Sequence, residues 1–188
     1  MADAEVLIVL GAPFEPDPKR VAILVELRTE CLGAHTGEQL GEEGSNVIGF
    51  SRWRNADERS ALVEMVCQPR TNTVALAAAR EVFEAQGLTC VVCSDQSGRI
   101  LDRLVRPMYN DALRVLDEKL ATAQDIDFTC RLGLGHPAGP LERVERSGLV
   151  EHYDICCTLT EVLGAAYAPP RRALVAAQHA RASMGENG

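Results

Sequence analysis

With 188 residues, of which 46% are hydrophobic and 24% charged, the chain can form one domain or two small ones around an apolar core. Aromatic residues make up only 4%, so that core must be built from Val, Leu, Ile and Ala. The formal net charge of −8 argues against a nucleic-acid partner, and any anionic ligand would need a local basic patch.

The first half alternates strand-like and helix-like pieces. "EVLIVLGA" (5–12) is a short continuous apolar run, as in a strand covered on both faces. "VAILVELRTECLG" then predicts a helix ending at Gly33, and the polar stretch 33–46, with four glycines, predicts a loop. "NVIGFSRW" and "ALVEMVCQ" read as two further strands. "TNTVALAAAREVFEAQG" predicts a helix capped by Thr71 or Thr73 and stopped at Gly87, followed by the strand "LTCVVCSD". Such alternation predicts an α/β layer with parallel strand pairs.

After Ser97 only helices are expected. "GRILDRLVRPMYNDALRVLDEKL" has helical periodicity with Pro107 inside it, which predicts a kink. "TAQDIDFTCRLG" opens on a capping-box pattern, Thr122 to Asp125. "GPLERVERSG", "LVEHYDICCTLTEVLG" and "PPRRALVAAQHARAS" are three more helices. The chain therefore divides into an α/β half, 1–96, and a helical half, 97–188.

Seven cysteines are an odd number, and the acidic opening "MADAEVLIVLGAPFEPD" lacks the basic residues of a secretory signal. Free thiols in a reducing cytoplasm are expected, with no stretch long enough to span a membrane. In "CVVC" a strand would turn Cys90 and Cys93 to opposite faces, so these, like Cys156 and Cys157, read as buried inert thiols with no metal role.

The run "CRLGLGHPAGPLERVERSGL" (130–149) raises the question of a phosphate loop. Such a loop needs a strand before it and free backbone N–H groups within it. Here a helix precedes it, Pro137 and Pro140 each remove a donor, and the spacing G-x-G-x-x-x-G matches no nucleotide fingerprint. A tight connection between packed helices is the expected role.

That run, with "ATAQDIDFT" before it, resembles the C-terminal domain of the 3-hydroxyacyl-CoA dehydrogenases. In that family a basic residue-Leu-Gly-x-Gly precedes an aromatic and then Pro-x-Gly-Pro. "DRLVRPMYNDALRVLDE" is similar to the family's first C-terminal helix, with Arg103, Leu104, Pro107, Asn110 and Ala112 in step. "NVIGFSRWRNADERSALVEMV" resembles its catalytic turn and flanking strands, and "EVLIVLGAPFEPDPKRVAILVELRTEC" its mid-domain strand and helix. The resemblance implies a truncated Rossmann-like α/β half followed by a helical dimerisation domain, hence a homodimer, and an acyl-CoA or similar thioester as ligand.

In the family a histidine takes the substrate hydroxyl proton while hydride passes to NAD. A glutamate orients that histidine, and an asparagine and a serine line the site. The matching histidine position is Ser51, the glutamate is Glu64 and the asparagine position is Asp102; the family serine has no clear counterpart in 33–46. Serine is no base near neutrality, and the chain shows no G-x-G-x-x-G turn, so no cofactor and no independent NAD-dependent oxidation are expected. Glu64 is the candidate catalytic residue, its alternative being a solvated strand carboxylate. Ser51, Arg52, Arg54 and Asp102 are the candidate substrate contacts, because the "RWR" of Arg52 to Arg54 could hold an anion beside Trp53. An exposed charged turn with one anchoring Trp is the other reading of that tripeptide. His35, His136, His152 and His179 are expected on surfaces or in packing. Three functions stay open: a dehydrogenase-like protein of acyl-CoA metabolism, a non-catalytic thioester binder, or half of a split dehydrogenase completed by another chain.

Overall fold

A computed structural model describes residues 5–38, 44–55 and 58–185. The chain forms two compact units, one of residues 1–53 with 59–100, the other of residues 54–58 with 101–188.

The first unit is built on a five-stranded sheet. Its strands are β1 (Val6–Val9), β2 (Ala22–Glu26), β3 (Val47–Ser51), β6 (Leu62–Cys67) and β7 (Thr89–Ser94), adjacent in that order. Three pairings are parallel; β3 and β6 run antiparallel. The reason is connection length. Among the described residues of 52–61 there is no helix, only a ribbon of β4 (Arg54–Asn55) and β5 (Glu58–Arg59). A parallel return would need a longer crossover.

Apolar residues on alternate sides of these strands make two cores. One face packs Ala22, Leu24, Ile48, Phe50, Val63 and Met65 against Ala75, Ala79 and Phe83 of helix α2 (Thr73–Glu84). Phe50 and Phe83 meet with ring centroids 5.1 Å apart. The other face gathers Val9, Ile23, Val25, Leu27, Leu32, Val47 and Val66. Gly49 lies on that side, and a Cβ there would meet Leu27 Cδ1 at 2.5 Å, so glycine is what lets the loop after β2 close over the sheet.

Four expectations need correction. "VAILVELRTECLG" is not a helix: Ala22–Glu26 is β2, and Gly33 begins the short helix α1 (Gly33–Thr36) instead of ending one. The run is apolar at consecutive positions, which suits a strand buried on both faces, and β2 has a parallel neighbour on each side. The 33–46 segment is accordingly not all loop, although 39–43 lie outside the described residues. The cap of α2 is Asn72, whose side chain accepts from Val74 N at 2.8 Å and Ala75 N at 3.4 Å. Thr71 instead accepts from Gln68 N through its hydroxyl. Finally, β1 is the edge strand and is not covered on both faces; Ile8 is 46% exposed.

The second unit is helical: α3 (Ile100–Asp117), α4 (Ala123–Gly133), α5 (Pro140–Ser147), α6 (Leu149–Leu163), a 3₁₀ turn (Ala165–Tyr167) and α7 (Arg171–Gly185). Ile100 itself falls in the first unit. Among the described residues no strand follows Ser94. α4 packs on α5, α5 on α6, and α6 on α7. Pro107 sits inside α3, where it removes one N–H from the helical ladder. Thr122 caps α4 by accepting from Asp125 N at 3.2 Å.

The glycine-rich connection is structural. Gly135 is left-handed at φ 71°, and His136 N returns to Cys130 O, closing α4. Asp127 then accepts from Leu141 N at 2.8 Å and Glu142 N at 3.0 Å, so a carboxylate of the chain itself occupies the N-terminus of α5. A Cβ on Gly139 would meet Asp127 Cγ at 2.1 Å; only glycine admits that carboxylate.

Candidate active site

Strand register decides which of the candidate residues meet. Ser51, the last residue of β3, is the direct cross-strand partner of Glu64 in β6. Residues so paired project to the same face with Cβ atoms about 4.5–5.5 Å apart. Glu64 is 4% exposed, which corrects the reading of it as a solvated strand carboxylate. Both lie on the side of the sheet that carries Gly49 and Val66, by the two-residue alternation of strands. The structure thus pairs a serine with the buried glutamate that the resemblance assigns to orienting a histidine.

The remaining candidates are placed elsewhere. Arg52 leaves the strand, and its Nε donates to Ser60 O at 2.6 Å, a bond that pins the turn rather than reaching for a ligand. Arg54 is exposed and belongs to the helical unit. Asp102 is also in the helical unit, on the first turn of α3, where Arg106 Nε donates to its carboxylate at 3.0 Å.

That ion pair opens a buried polar chain inside the helical unit. Arg106 Nη1 lies 3.4 Å from His152 Nδ1 and can only donate, so Nδ1 accepts and Nε2 carries the proton. Nε2 donates to Asn110 Oδ1 at 2.8 Å, and Asn110 Nδ2 donates to Tyr167 O at 3.1 Å. His152 is fully buried; desolvation, reinforced by the Arg106 charge, pulls its pKa down to about 3. It is a packing residue with every ring nitrogen satisfied. The Asn110 that stands in step with the resembling family works here as a strut between α3, α6 and the 3₁₀ turn.

Of the thiols expected in the interior, Cys90 and Cys156 are buried, whereas Cys93 and Cys157 are only half-buried. All seven cysteines are free. Burial pushes Cys156 up to about 11, and burial together with the Glu64 charge pushes Cys93 up to about 11, against the opposing pull of Arg99. Cys90 packs in one core and Cys93 against the other, so the two do face opposite ways. Among the described residues no cluster of His, Cys, Asp or Glu could hold a metal, and no helix is long and apolar enough to cross a membrane.

Two features of the first unit escape the sequence reading. A cleft of about 590 Å³ opens at the carboxyl ends of β6 and β7, lined by Glu38, Cys67, Gln68, Cys93 and Asp95 among others. Arg99 is 3% exposed, yet none of its three guanidinium nitrogens has a hydrogen-bond partner. Neither was visible in residue spacing, because both depend on how segments distant in sequence fold onto the sheet.

The family model for the 3-hydroxyacyl-CoA dehydrogenase C-terminal domain matches residues 98–187. A Caenorhabditis elegans protein named a probable 3-hydroxyacyl-CoA dehydrogenase is 35% identical over 160 residues, covering 79% of this chain and 53% of its own length. A Deinococcus radiodurans protein named a probable 3-hydroxybutyryl-CoA dehydrogenase is 33% identical over 102 residues, covering 54% of this chain and 35% of its own. The chain thus spans about half or less of these relatives. FadB2 of M. tuberculosis shares the fold, with a TM-score of 0.80 at 23% identity over 95% of this chain and 67% of that one. Through its helical half, this chain belongs to the 3-hydroxyacyl-CoA dehydrogenase family.

Proposed function

We propose that the chain is a 3-hydroxyacyl-CoA dehydrogenase-like protein of acyl-CoA metabolism that binds an acyl thioester but does not carry out NAD-dependent oxidation with its own residues. One observation carries this reading: Ser51 stands in register opposite the buried Glu64. Oxidation of a hydroxyl needs a group that accepts its proton as hydride leaves, and imidazole does this because its pKa lies near working pH. A serine hydroxyl cannot. Losing a positioned base costs about 10²–10⁴ in rate. In this reading Glu64 and Ser51 offer polar groups to a thioester carbonyl or hydroxyl rather than a base.

Calorimetric titration with acetoacetyl-CoA tests the binding half of the reading. Saturable micromolar heat, weakened at least tenfold in Ser51→Val with Glu64→Gln, supports it. No heat at protein concentrations of about 100 μM, where binding near −5 kcal/mol would register, removes the thioester from the account.

A second reading, half of a split dehydrogenase, is favoured by the half-exposed Ile8 on edge strand β1, since an open strand edge is a template for another chain. It requires that a second polypeptide bind this chain and bring NAD-linked turnover with it; co-expression with a nucleotide-binding neighbour, followed by assay of the purified complex, tests that requirement.

A further inference from the structure

Arg99 is the least satisfied charged group among the described residues. Its five N–H donors are out of water, and none of Nε, Nη1 or Nη2 finds an acceptor. Desolvating a guanidinium without pairing it is costly, and such groups in folded proteins call for a specific explanation.

The carboxylates around it do not supply the missing bonds. Its charge reaches Glu30, where burial and hydrogen bonds from the Glu30 and Arg28 backbone N–H groups also act. Both Glu30 oxygens already accept from Arg28 N, at 3.3 and 3.2 Å. Asp95, which shares the electrostatic surroundings of Cys31 and Cys93 with Arg99, has both oxygens committed, one to Leu32 N at 2.7 Å and the other to Gly33 N at 2.8 Å. Glu64 acts on the same Cys93 without bonding the guanidinium. The position itself is fixed: Ser97 Oγ and Gly98 N both donate to Thr29 O, at 2.9 and 3.4 Å, which holds the backbone just before Arg99. A held, dry, planar fork with no acceptor is a preorganised recognition group.

We infer that Arg99 is the recognition residue of a carboxylate site in the α/β unit, one that takes a short aliphatic monocarboxylate. The charge of the surroundings chooses the class. One guanidinium pairs bidentately with one carboxylate, and because Glu30, Asp95 and Glu64 repel any anion in proportion to its charge, a singly charged ligand is opposed about half as strongly as a doubly charged phosphate. The thiols Cys31 and Cys93 share these surroundings, and burial raises the pKa of both, so they stay neutral at physiological pH and suit an alkyl stem. Cys93 and Asp95, which share the electrostatic surroundings of Arg99, also line the cleft at the ends of β6 and β7. This inference does not depend on the thioester reading.

The test is thermal stabilisation of the full chain by butyrate, with butyramide, chloride and phosphate as controls at matched ionic strength. A ligand that binds only the folded state raises the melting temperature, and for a chain of this size a shift of about 2–4 °C beyond every control is expected. Arg99→Gln should abolish the shift and Arg99→Lys should reduce it, since an ammonium keeps the charge but loses the fork. A shift equal to that of chloride or butyramide, one that survives Arg99→Gln, or one that phosphate exceeds would overturn the proposal. Should the variants fail to fold, calorimetry of the unaltered protein with butyrate decides it, and absence of saturable heat counts against the site.

Discussion

At the scale of single residues, the pairing of Ser51 with Glu64 makes a spectroscopic prediction. A histidine installed by Ser51→His would face a buried carboxylate across the β3–β6 ladder, and that neighbour would favour its charged form. Its pKa, followed by NMR of the ring protons, should be higher than in the same variant carrying Glu64→Gln; equal values would show that Glu64 does not face the position. His152 gives the opposite case. Its folded pKa of about 3 lies below the unfolded value of 6.5, so between those two pH values the unfolded chain binds a proton that the folded chain refuses. Stability should therefore be at its full value above pH 6.5 and fall as pH drops toward 3, by up to about 1.4 kcal/mol per pH unit from this residue. Denaturant melts of wild type and His152→Gln at a series of pH values read this directly, the variant showing the shallower acid slope. Equal slopes would contradict the assignment.

At the scale of elements, the connection between α4 and α5 is held by one carboxylate and one missing side chain. Gly139→Ala would drive a methyl into Asp127 and evict it from Leu141 N and Glu142 N. The expected loss is about 1–3 kcal/mol, comparable to loss of a cap together with an unsatisfied buried donor, and it is measurable by urea melts. Asp127→Asn, which keeps an acceptor, should lose less. A neutral Gly139→Ala would mean that the carboxylate is not what closes this turn. The structural role of these glycines was legible in the sequence, because Pro137 and Pro140 advertise missing donors and a helix precedes them. The helices after Ser97 were legible for a related reason, since each carries its own periodicity and stop. The segment Ala22–Glu26 was not: a fully buried parallel strand has no polar alternate positions, so a window of apolar residues followed by charged ones imitates a helix. Edge and interior strands were equally indistinguishable, because coverage of β1 depends on neighbours that a local pattern does not contain. The Ser51–Glu64 pair came from the resemblance and was then located by register. Arg99 carried no signal at all, since an arginine after Ser-Gly reads as surface until the fold buries it.

At the scale of the molecule, the helical unit leaves large apolar side chains in solvent: Leu104 at 67%, Phe128 at 55%, Leu132 at 71% and Val162 at 60% exposed. Single exposed residues are ordinary, but several on one small unit favour a partner surface, and we propose that a second copy of the chain covers it. Light scattering at micromolar concentration should give twice the chain mass, and Leu104→Asp should shift the population to monomer or aggregate; a stable wild-type monomer would refute this. The central claim concerns chemistry, and it rests on the proposal that Ser51 takes the position where a dehydrogenase needs its proton acceptor. The measurement that tests it most directly follows NADH absorbance with the purified chain at substrate-level concentration, saturating acetoacetyl-CoA and excess NADH. The account predicts a rate indistinguishable from the protein-free control. Saturable NADH consumption that scales with the chain and disappears in Glu64→Gln would contradict it, because it would show that this site transfers a proton without an imidazole.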